Sequence, residues 1–417
     1  MVMKMTRKES LLMIQIAILG FGVVGSGTAE VLTENKAIIE KKVGQPFDIK
    51  YILDLRDFPE SPFADKIIHD FNIIVNDPEV SLVAEMMGGS HPAYDFTKAC
   101  LEAGKSVVTS NKEVVANFGT ELLAIAKAHG VSYEFEASVG GGIPIIRPMN
   151  QDLSSNNITA VNGILNGTTN YILTKMETEG TPFAEVLKDA QKKGYAEANP
   201  TADIEGLDAA RKIVILAAMA FGKRIDPNTI PCEGITKITA EDMETARELG
   251  YAIKLIGHTE KRDGRILCMV SPRLVSQYTP LSGVSDVFNG ILVDADMVGQ
   301  VMFYGPGAGK LPTASAVVAD MIDIMEHTPA NIKAPVWTDA TTDDLMDFST
   351  YTCKNLVSFD APLSAADELA SVFGSKQFCG REGRLSMITS ELSEVALTEL
   401  LAKVGETYPV VSRIRLL

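Results

Sequence analysis

The side chains best equipped for chemistry crowd one stretch, Gly194 to Lys212, where Tyr195, Glu197, Asp203, Glu205, Asp208 and Lys212 stand close together. From Ile204 to Phe221 the pattern is helical. At about 100° per residue, Asp208, Lys212, Ile215 and Met219 fall on one stripe. The other sides of the last three turns are also apolar (Ile213, Val214, Leu216, Ala217, Ala218), and a helix apolar all round is a buried helix. Charges at its entrance must be partnered, neutralised by a shifted pKa, or turned to a pocket, which makes them candidates for acid–base chemistry. The plainer alternative is a surface i,i+4 pair between Asp208 and Lys212, worth about 0.3–0.5 kcal/mol.

A second constellation is Gly20-Phe21-Gly22-Val23-Val24-Gly25, a G-x-G-x-x-G run that follows an apolar strand and opens a helix. Gly20 permits a tight turn, Gly22 lets a pyrophosphate approach the backbone, and Gly25 lets helix pack on strand. At the end of the second strand stand Asp54, Arg56 and Asp57. An acid there would hold the ribose hydroxyls of NAD, whereas Arg56 would pair with the 2′-phosphate of NADP; both are present, and the balance leans to NADP. In Thr109-Ser110-Asn111-Lys112-Glu113 the fourth strand meets the next helix, so Lys112 should face the ligand crevice beyond the strand ends. Otherwise it is an exposed first-turn lysine with Asn111 or Ser110 as cap.

Glu136-Ala137-Ser138-Val139-Gly140-Gly141-Gly142-Ile143-Pro144 exposes backbone carbonyls that could chelate a hard monovalent cation, or serves only as a hinge. Asn166-Gly167-Thr168-Thr169-Asn170 is either a carboxylate-binding strand-to-helix turn or a capped helix start. Gly305-Pro306-Gly307-Ala308-Gly309 repeats the glycine turn before a helix from Thr313 to Ile324, a segment expected to return to the cofactor domain. The histidines form no H-E-x-x-H pattern and no G-x-S-x-G elbow occurs, so neither a catalytic zinc nor a nucleophilic serine is supported.

The elements that must position these groups alternate between short β-rich runs and helices over residues 13 to 139. Strands are expected at Met13 to Leu19, Ile49 to Leu55, Ser81 to Met87, Ser106 to Ser110 and Val131 to Ala137, with helices at Ser26 to Lys41, Ala93 to Ala103 and Glu113 to His129. That rhythm predicts an α/β class with a Rossmann-type doubly wound parallel sheet. After the triple glycine an α+β domain follows, with strands at Ile158 to Leu165, Leu267 to Leu274, Gly290 to Val293 and Val298 to Tyr304, and helices at Thr181 to Lys193 and Ile204 to Phe221. Pro335 to Asp347 reads as a linker, and beyond it a small βαββαβ unit resembles an ACT regulatory domain. The expected domains are thus 1–143, completed by 310–335, a Rossmann-type domain; 144–309, an α+β domain, which the family resemblance given below makes the catalytic and dimerisation domain; and 348–417, the ACT-like unit, whose resemblance implies regulation.

Apolar residues make up 46% and charged residues 22% of the 417, the balance of a globular protein. With 54 acidic and 38 basic residues the net charge is −16, which repels nucleic acid and anionic membrane surfaces. Cys100, Cys232, Cys268, Cys353 and Cys379 are scattered with no metal-ligand spacing, as in a reducing cytoplasm. Lys4, Arg7 and Lys8 precede the apolar run Leu11 to Leu19 as in a signal peptide. That run leads straight into the glycine fingerprint without a cleavage site, so it is expected to be a strand.

Taken together, the chain resembles homoserine dehydrogenase over about residues 13 to 330. The resemblance rests on GFGVVG (20–25), TSNKEVVA (109–116), EASVGGGIPIIRP (136–148), NGTTNYIL (166–173), GYAEANPTADIEGLDAARK (194–212) and YGPGAGKLPTASAVVAD (304–320). It implies interconversion of L-homoserine and L-aspartate 4-semialdehyde with NADP or NAD, in threonine, methionine and isoleucine biosynthesis, by a homodimer or higher homo-oligomer. It implies Lys212 as proton donor, Lys112 shared between cofactor and reacting centre, and Asp208 among the residues that line or order the pocket, where physically it would hold the Lys212 ammonium. By the same resemblance Glu197 meets the substrate amino group, and Tyr195, Thr168 and Asp203 line or order the pocket. Backbone oxygens of Glu136, Val139, Gly141 and Ile143 match a sodium site, and Gly309 a late cofactor contact beside the fingerprint residues Gly20 to Gly25, Arg56 and Ser110.

Two departures stand out. Val23 occupies a position where many relatives carry threonine, and Asp360-Ala361-Pro362-Leu363 replaces the D-x-x-G turn of ACT domains, which leaves threonine as effector a hypothesis. A non-catalytic NAD(P)-binding amino-acid sensor would need the glycines but not Glu197, Asp208 and Lys212 together. A thiol-dependent semialdehyde dehydrogenase would need an activated cysteine, and no cysteine falls within these motifs.

Overall fold

A computed structural model of the chain describes residues 13–327, 334–381 and 383–417. Lys4, Arg7, Lys8 and the start of the apolar run lie outside them. By its internal contacts the chain forms two units, one of residues 1–142 with 308–336 and one of 143–307 with 337–417.

The first unit is built on six strands: β1 (Ile14–Leu19), β2 (Phe47–Leu53), β3 (Ile67–Ile68), β4 (Val80–Glu85), β5 (Ser106–Thr109) and β6 (Tyr133–Glu134). All neighbours pair in parallel in the order β3-β2-β1-β4-β5-β6, the doubly wound arrangement of a Rossmann fold. Ile16 to Leu19 are buried on both faces of the sheet, as the continuous apolar run of β1 requires. The expected helix from Ser26 to Lys41 is two, Val23–Glu34 and Lys36–Val43, divided at Asn35. β6 is shorter than expected because Glu136–Ser138 turn into a 3-10 helix. The late helix Lys310–Glu326 joins this unit, its Ala316, Val317, Val318 and Met321 packing into the core with Ile18, Leu32 and Val108.

The second unit carries a nine-stranded sheet. Its order is Gly299–Pro306, Phe288–Ala295, Ile158–Ile164, Tyr251–Arg262, Arg265–Ser276, Val410–Leu416, Asn355–Asp360, Arg384–Ile388, Gln377–Arg381. Tyr251–Arg262 was not anticipated as a strand. It is buried without a break from Ala252 to Thr259, so no polar alternation marks it. The helix Leu207–Phe221 lies on this sheet, where a Cβ at Gly257 would come within 3.1 Å of Ile213.

The expected single helix from Ile204 is interrupted. Thr201–Ile204 forms one short turn, and Gly206, in the left-handed region at φ +83°, starts a new helix at Leu207. The C-terminal segment does run β-α-β-β-α-β and has its own apolar cluster around Phe359, Leu369, Phe373 and Leu397. Its sheet, however, is continuous with the rest: Val410–Leu416 pairs in parallel with Arg265–Ser276. Nor is the polar stretch before it a slack linker. Thr338–Asp339 pairs with Lys223–Arg224, Arg224 Nε donates to Asp339 at 2.6 Å, Lys223 meets Asp344 at 3.1 Å, and Trp337 is buried.

Candidate active site

In the first unit the crevice opens at the carboxyl ends of β1, β2 and β4. A cavity of about 470 Å³ is lined there by Gly20, Gly22, Asp54, Arg56, Met86 and Gly88, among others. Gly20 turns at φ +89°, and a Cβ there would lie 2.9 Å from the Met86 carbonyl oxygen. A Cβ at Gly22 would meet nothing within 4 Å, leaving the space a phosphate needs at the start of the helix Val23–Glu34. The Phe21 amide donates to Asp54 Oδ2 at 2.8 Å, tying the turn to the end of β2. Val23 is exposed and Val24 packs inward against the core.

Arg56 grips the same carboxylate, Nε to Oδ1 at 3.0 Å and Nη2 to Oδ2 at 3.1 Å. The Arg56 side chain, with amide donors from Arg56 and Phe21, outweighs burial and holds the Asp54 carboxyl down at about 2. Asp54 is thus committed to the loop and to Arg56. The resulting expectation is that Arg56→Gln raises the KM for NADPH by about tenfold, the worth of one charge-assisted hydrogen bond, with a smaller effect on NADH. Equal effects on both cofactors would remove Arg56 from phosphate recognition.

Lys112 opens the helix Lys112–His129 directly after β5. Asn111 sets that turn: its Oδ1 accepts from the amides of Glu113 and Val114, and its Nδ2 donates to the Gly89 carbonyl at 2.8 Å. Beneath it lies Glu85, fully buried, accepting from Thr109 Oγ1 at 2.6 Å and from the Met87 amide at 2.7 Å. Burial raises its pKa, the hydrogen bonds notwithstanding. Glu85 was overlooked in the sequence, although one carboxylate closing the apolar strand Val80–Glu85 was a visible signal. Ser110 continues the turn, its amide donating to the Glu85 carbonyl at 3.3 Å.

In the second unit Lys212 and Asp208 are both buried, and Lys212 Nζ donates to Asp208 Oδ2 and to the Leu165 carbonyl oxygen, each at 2.7 Å. The pair is therefore an interior one, fixed to the end of the strand Ile158–Ile164. Asn166 completes the cluster: its Nδ2 donates to Asp203 Oδ1 at 2.7 Å and Asp208 Oδ2 at 2.9 Å, while its Oδ1 caps the helix Gly167–Glu179 through the Thr169 amide. The capped-turn pattern was legible, but the bridge from Asn166 to two aspartates spans 37 and 42 residues and was not.

Thr168 Oγ1 donates to the Tyr195 carbonyl at 2.6 Å, and the Tyr195 ring sits 5.0 Å from that of Tyr171. Thr168 and Tyr195 are thereby joined. Glu197 is exposed in the loop beyond, its carbonyl accepting from Gln191 Nε2 at 3.1 Å. Gly309, at φ +124°, precedes the helix Lys310–Glu326. Glu136, Val139 and Gly141 lie in the turn after β6, where the Glu136 amide donates to Asp320 at 2.8 Å; Ile143 begins the other unit.

This strand order, with glycines that leave room where a pyrophosphate must approach and a charge pair closing β2, places the chain in the class of Rossmann-type dinucleotide-binding proteins. Comparison with known proteins narrows the class. Residues 20–136 match the family model "Homoserine dehydrogenase, NAD binding domain", and residues 144–322 match "Homoserine dehydrogenase". The homoserine dehydrogenase of Bacillus subtilis is 43% identical over 321 residues, 75% of this chain and 73% of that one. The crystal structure of the Thiobacillus denitrificans homoserine dehydrogenase superposes with a TM-score of 0.87 at 34% identity, covering 97% of this chain and 98% of that one. A hyperthermophilic archaeal homoserine dehydrogenase mutant in complex with NADPH matches 75% of this chain and 97% of its own, with a TM-score of 0.65 and 28% identity. The chain belongs to the homoserine dehydrogenase family and uses a nicotinamide cofactor.

Proposed function

We propose that this chain interconverts L-aspartate 4-semialdehyde and L-homoserine, with NADP preferred to NAD, and that Lys212 is the proton donor of the reduction. The observation that carries this is the buried Lys212 ammonium held by Asp208 and the Leu165 carbonyl at 2.7 Å each, inside the segment that matches the family. Asp208 fixes Nζ, and Asn166 in turn fixes Asp208. When bound, the nicotinamide supplies the hydride that the aldehyde carbon accepts. Lys212 then places a proton on the developing alkoxide oxygen, and in the reverse direction takes it back. Lys112, the first residue of the helix after β5, is assigned to cofactor and substrate oxygen. Glu197 is assigned to the substrate ammonium, with Thr168, Tyr195 and Asp203 shaping the pocket.

The glycine cradle, the Arg56 fork and the open space at Gly22 support the cofactor assignment, and Gly309 is assigned with them. A sodium ion is assigned to the carbonyls of Glu136, Val139, Gly141 and Ile143, in a buried turn where Gly140 and Gly141 lie at φ +74° and +56°. A homodimer finds support in the outermost strand Gly299–Pro306, where Tyr304 stacks on Phe288 at 5.2 Å and both are exposed. Threonine as effector rests on the order of elements in the C-terminal segment alone. Against a thiol mechanism, burial raises all five cysteines, Cys100 and Cys268 to about 12 and Cys232 to about 11.

The substrate assignment is tested with Glu197→Gln. The expected result is a KM for L-homoserine raised about tenfold or more, as for a lost charged hydrogen bond, with the cofactor KM unchanged. An unchanged homoserine KM would detach Glu197 from the amino group.

A further inference from the structure

The helix that carries Asp208 and Lys212 is braced at its start by a strap, residues 231–235, that packs against the residues leading into it, Ile204 to Gly206. Ile235 N donates to the Ile204 carbonyl at 2.8 Å, and Cys232 Sγ to the Glu205 carbonyl at 3.2 Å. The approach is tight enough to exclude side chains. A Cβ at Gly234 would fall 2.3 Å from the Ile204 oxygen, and one at Gly206 would fall 3.1 Å from Cys232 Sγ. The strap is anchored to the sheet on its other side, Glu233 N donating to the Val270 carbonyl at 2.8 Å and Val270 N to the Pro231 carbonyl at 2.9 Å.

One side chain joins this strap to the C-terminal segment. Arg415, on the last strand and almost wholly buried, donates from Nη1 to both Glu233 oxygens at 2.8 Å. It also forks Glu394, Nε to Oε1 at 2.8 Å and Nη2 to Oε2 at 3.0 Å. Glu394 is the first residue of the helix Glu394–Gly405, and Arg413 holds its Oε1 at 2.6 Å. The planar guanidinium thus fixes two carboxylates, one from the C-terminal segment and one from the strap, a geometry that lysine cannot reproduce.

We propose that Glu233 is a positioning residue for the Asp208–Lys212 pair, held by Arg415, so that the C-terminal segment sets the placement of the catalytic helix through the strap. The inference rests on Lys212 being the proton donor. Movement of the Glu394–Gly405 helix reaches Arg415, then Glu233 and Gly234, then the backbone of Ile204 to Gly206, one turn from Asp208. A second docking contact serves as control, since Arg381 pairs with Glu244 and Glu248 on the Ala240–Glu248 helix without touching the strap.

The test uses the full chain and compares kcat, KM and thermal midpoint for wild type, Glu233→Gln, Arg415→Met, the double variant and Arg381→Gln. Glu233→Gln is nearly isosteric and its side chain is half exposed, so it keeps the fold even where Arg415→Met weakens it. Expected are kcat losses of about tenfold for each single variant, in line with small displacements of reacting groups, and a double variant no slower than the slower single one. The cofactor KM stays within about twofold of wild type, as does kcat of Arg381→Gln. A wild-type kcat in Glu233→Gln, or an equal loss in Arg381→Gln, overturns the inference. Lys212→Ala measured alongside separates the two failures: if it is inactive while Glu233→Gln is fully active, only the positioning role falls.

Discussion

Lys212→Ala is expected to lower kcat for homoserine oxidation by about 10²–10⁴-fold, the range for removing a positioned general acid or base. The substitution deletes the proposed proton donor and leaves the Asp208 carboxylate buried with Asn166 as one remaining donor. An uncompensated buried charge costs about 3–5 kcal/mol of stability, so a lower thermal midpoint accompanies the loss of turnover. The two effects separate with a small primary amine added to the variant. An amine that enters the cavity restores part of kcat at a fixed thermal midpoint, whereas simple destabilisation is not rescued. Near-wild-type turnover in Lys212→Ala would remove Lys212 from the chemistry.

The second large effect is expected at Gly25. A Cβ there would lie 1.9 Å from the Gly20 carbonyl oxygen and 3.0 Å from its carbon, so backbone has to move against backbone. Gly25→Ala should therefore cost about 3 kcal/mol or more and abolish saturable cofactor binding, because strand, turn and helix all shift together. Gly22→Ala is the contrast. With nothing within 4 Å of its Cβ, stability should stay within about 0.5 kcal/mol of wild type while the cofactor KM rises, since the methyl enters the phosphate space. Chemical denaturation and cofactor titration on both variants decide the matter. Equal stability of Gly25→Ala and wild type would mean the turn is not packed as described.

Local pattern carried much of this architecture. The strand-turn-helix at Gly20 to Gly25 and the asparagine cap before Lys112 depend on neighbours in sequence, and both were readable. So was the Asp208–Lys212 stripe, because i,i+4 spacing and an apolar helix together leave few surroundings for a charge pair. What escaped depends on distant residues. The Asn166 bridge to Asp203 and Asp208, the Glu85–Thr109 contact and the Arg415–Glu233 link each join segments that only the folded sheet brings together. Tyr251–Arg262 was missed because a strand buried on both faces loses the alternation that identifies strands. The break at Gly206 was hidden by acidic residues whose helical spacing continues across it. The sharing of one sheet between catalytic and C-terminal strands is likewise a matter of pairing partners, which composition does not encode.

The central claim, that this chain oxidises L-homoserine with a nicotinamide cofactor through Lys212, is tested most directly by following nicotinamide absorbance as the purified chain meets L-homoserine. Homoserine-dependent reduction of NADP, faster than that of NAD at equal concentration, is the expected result, with loss of the signal in Lys212→Ala. Wild-type protein that binds NADP yet shows no homoserine-dependent absorbance change would contradict it.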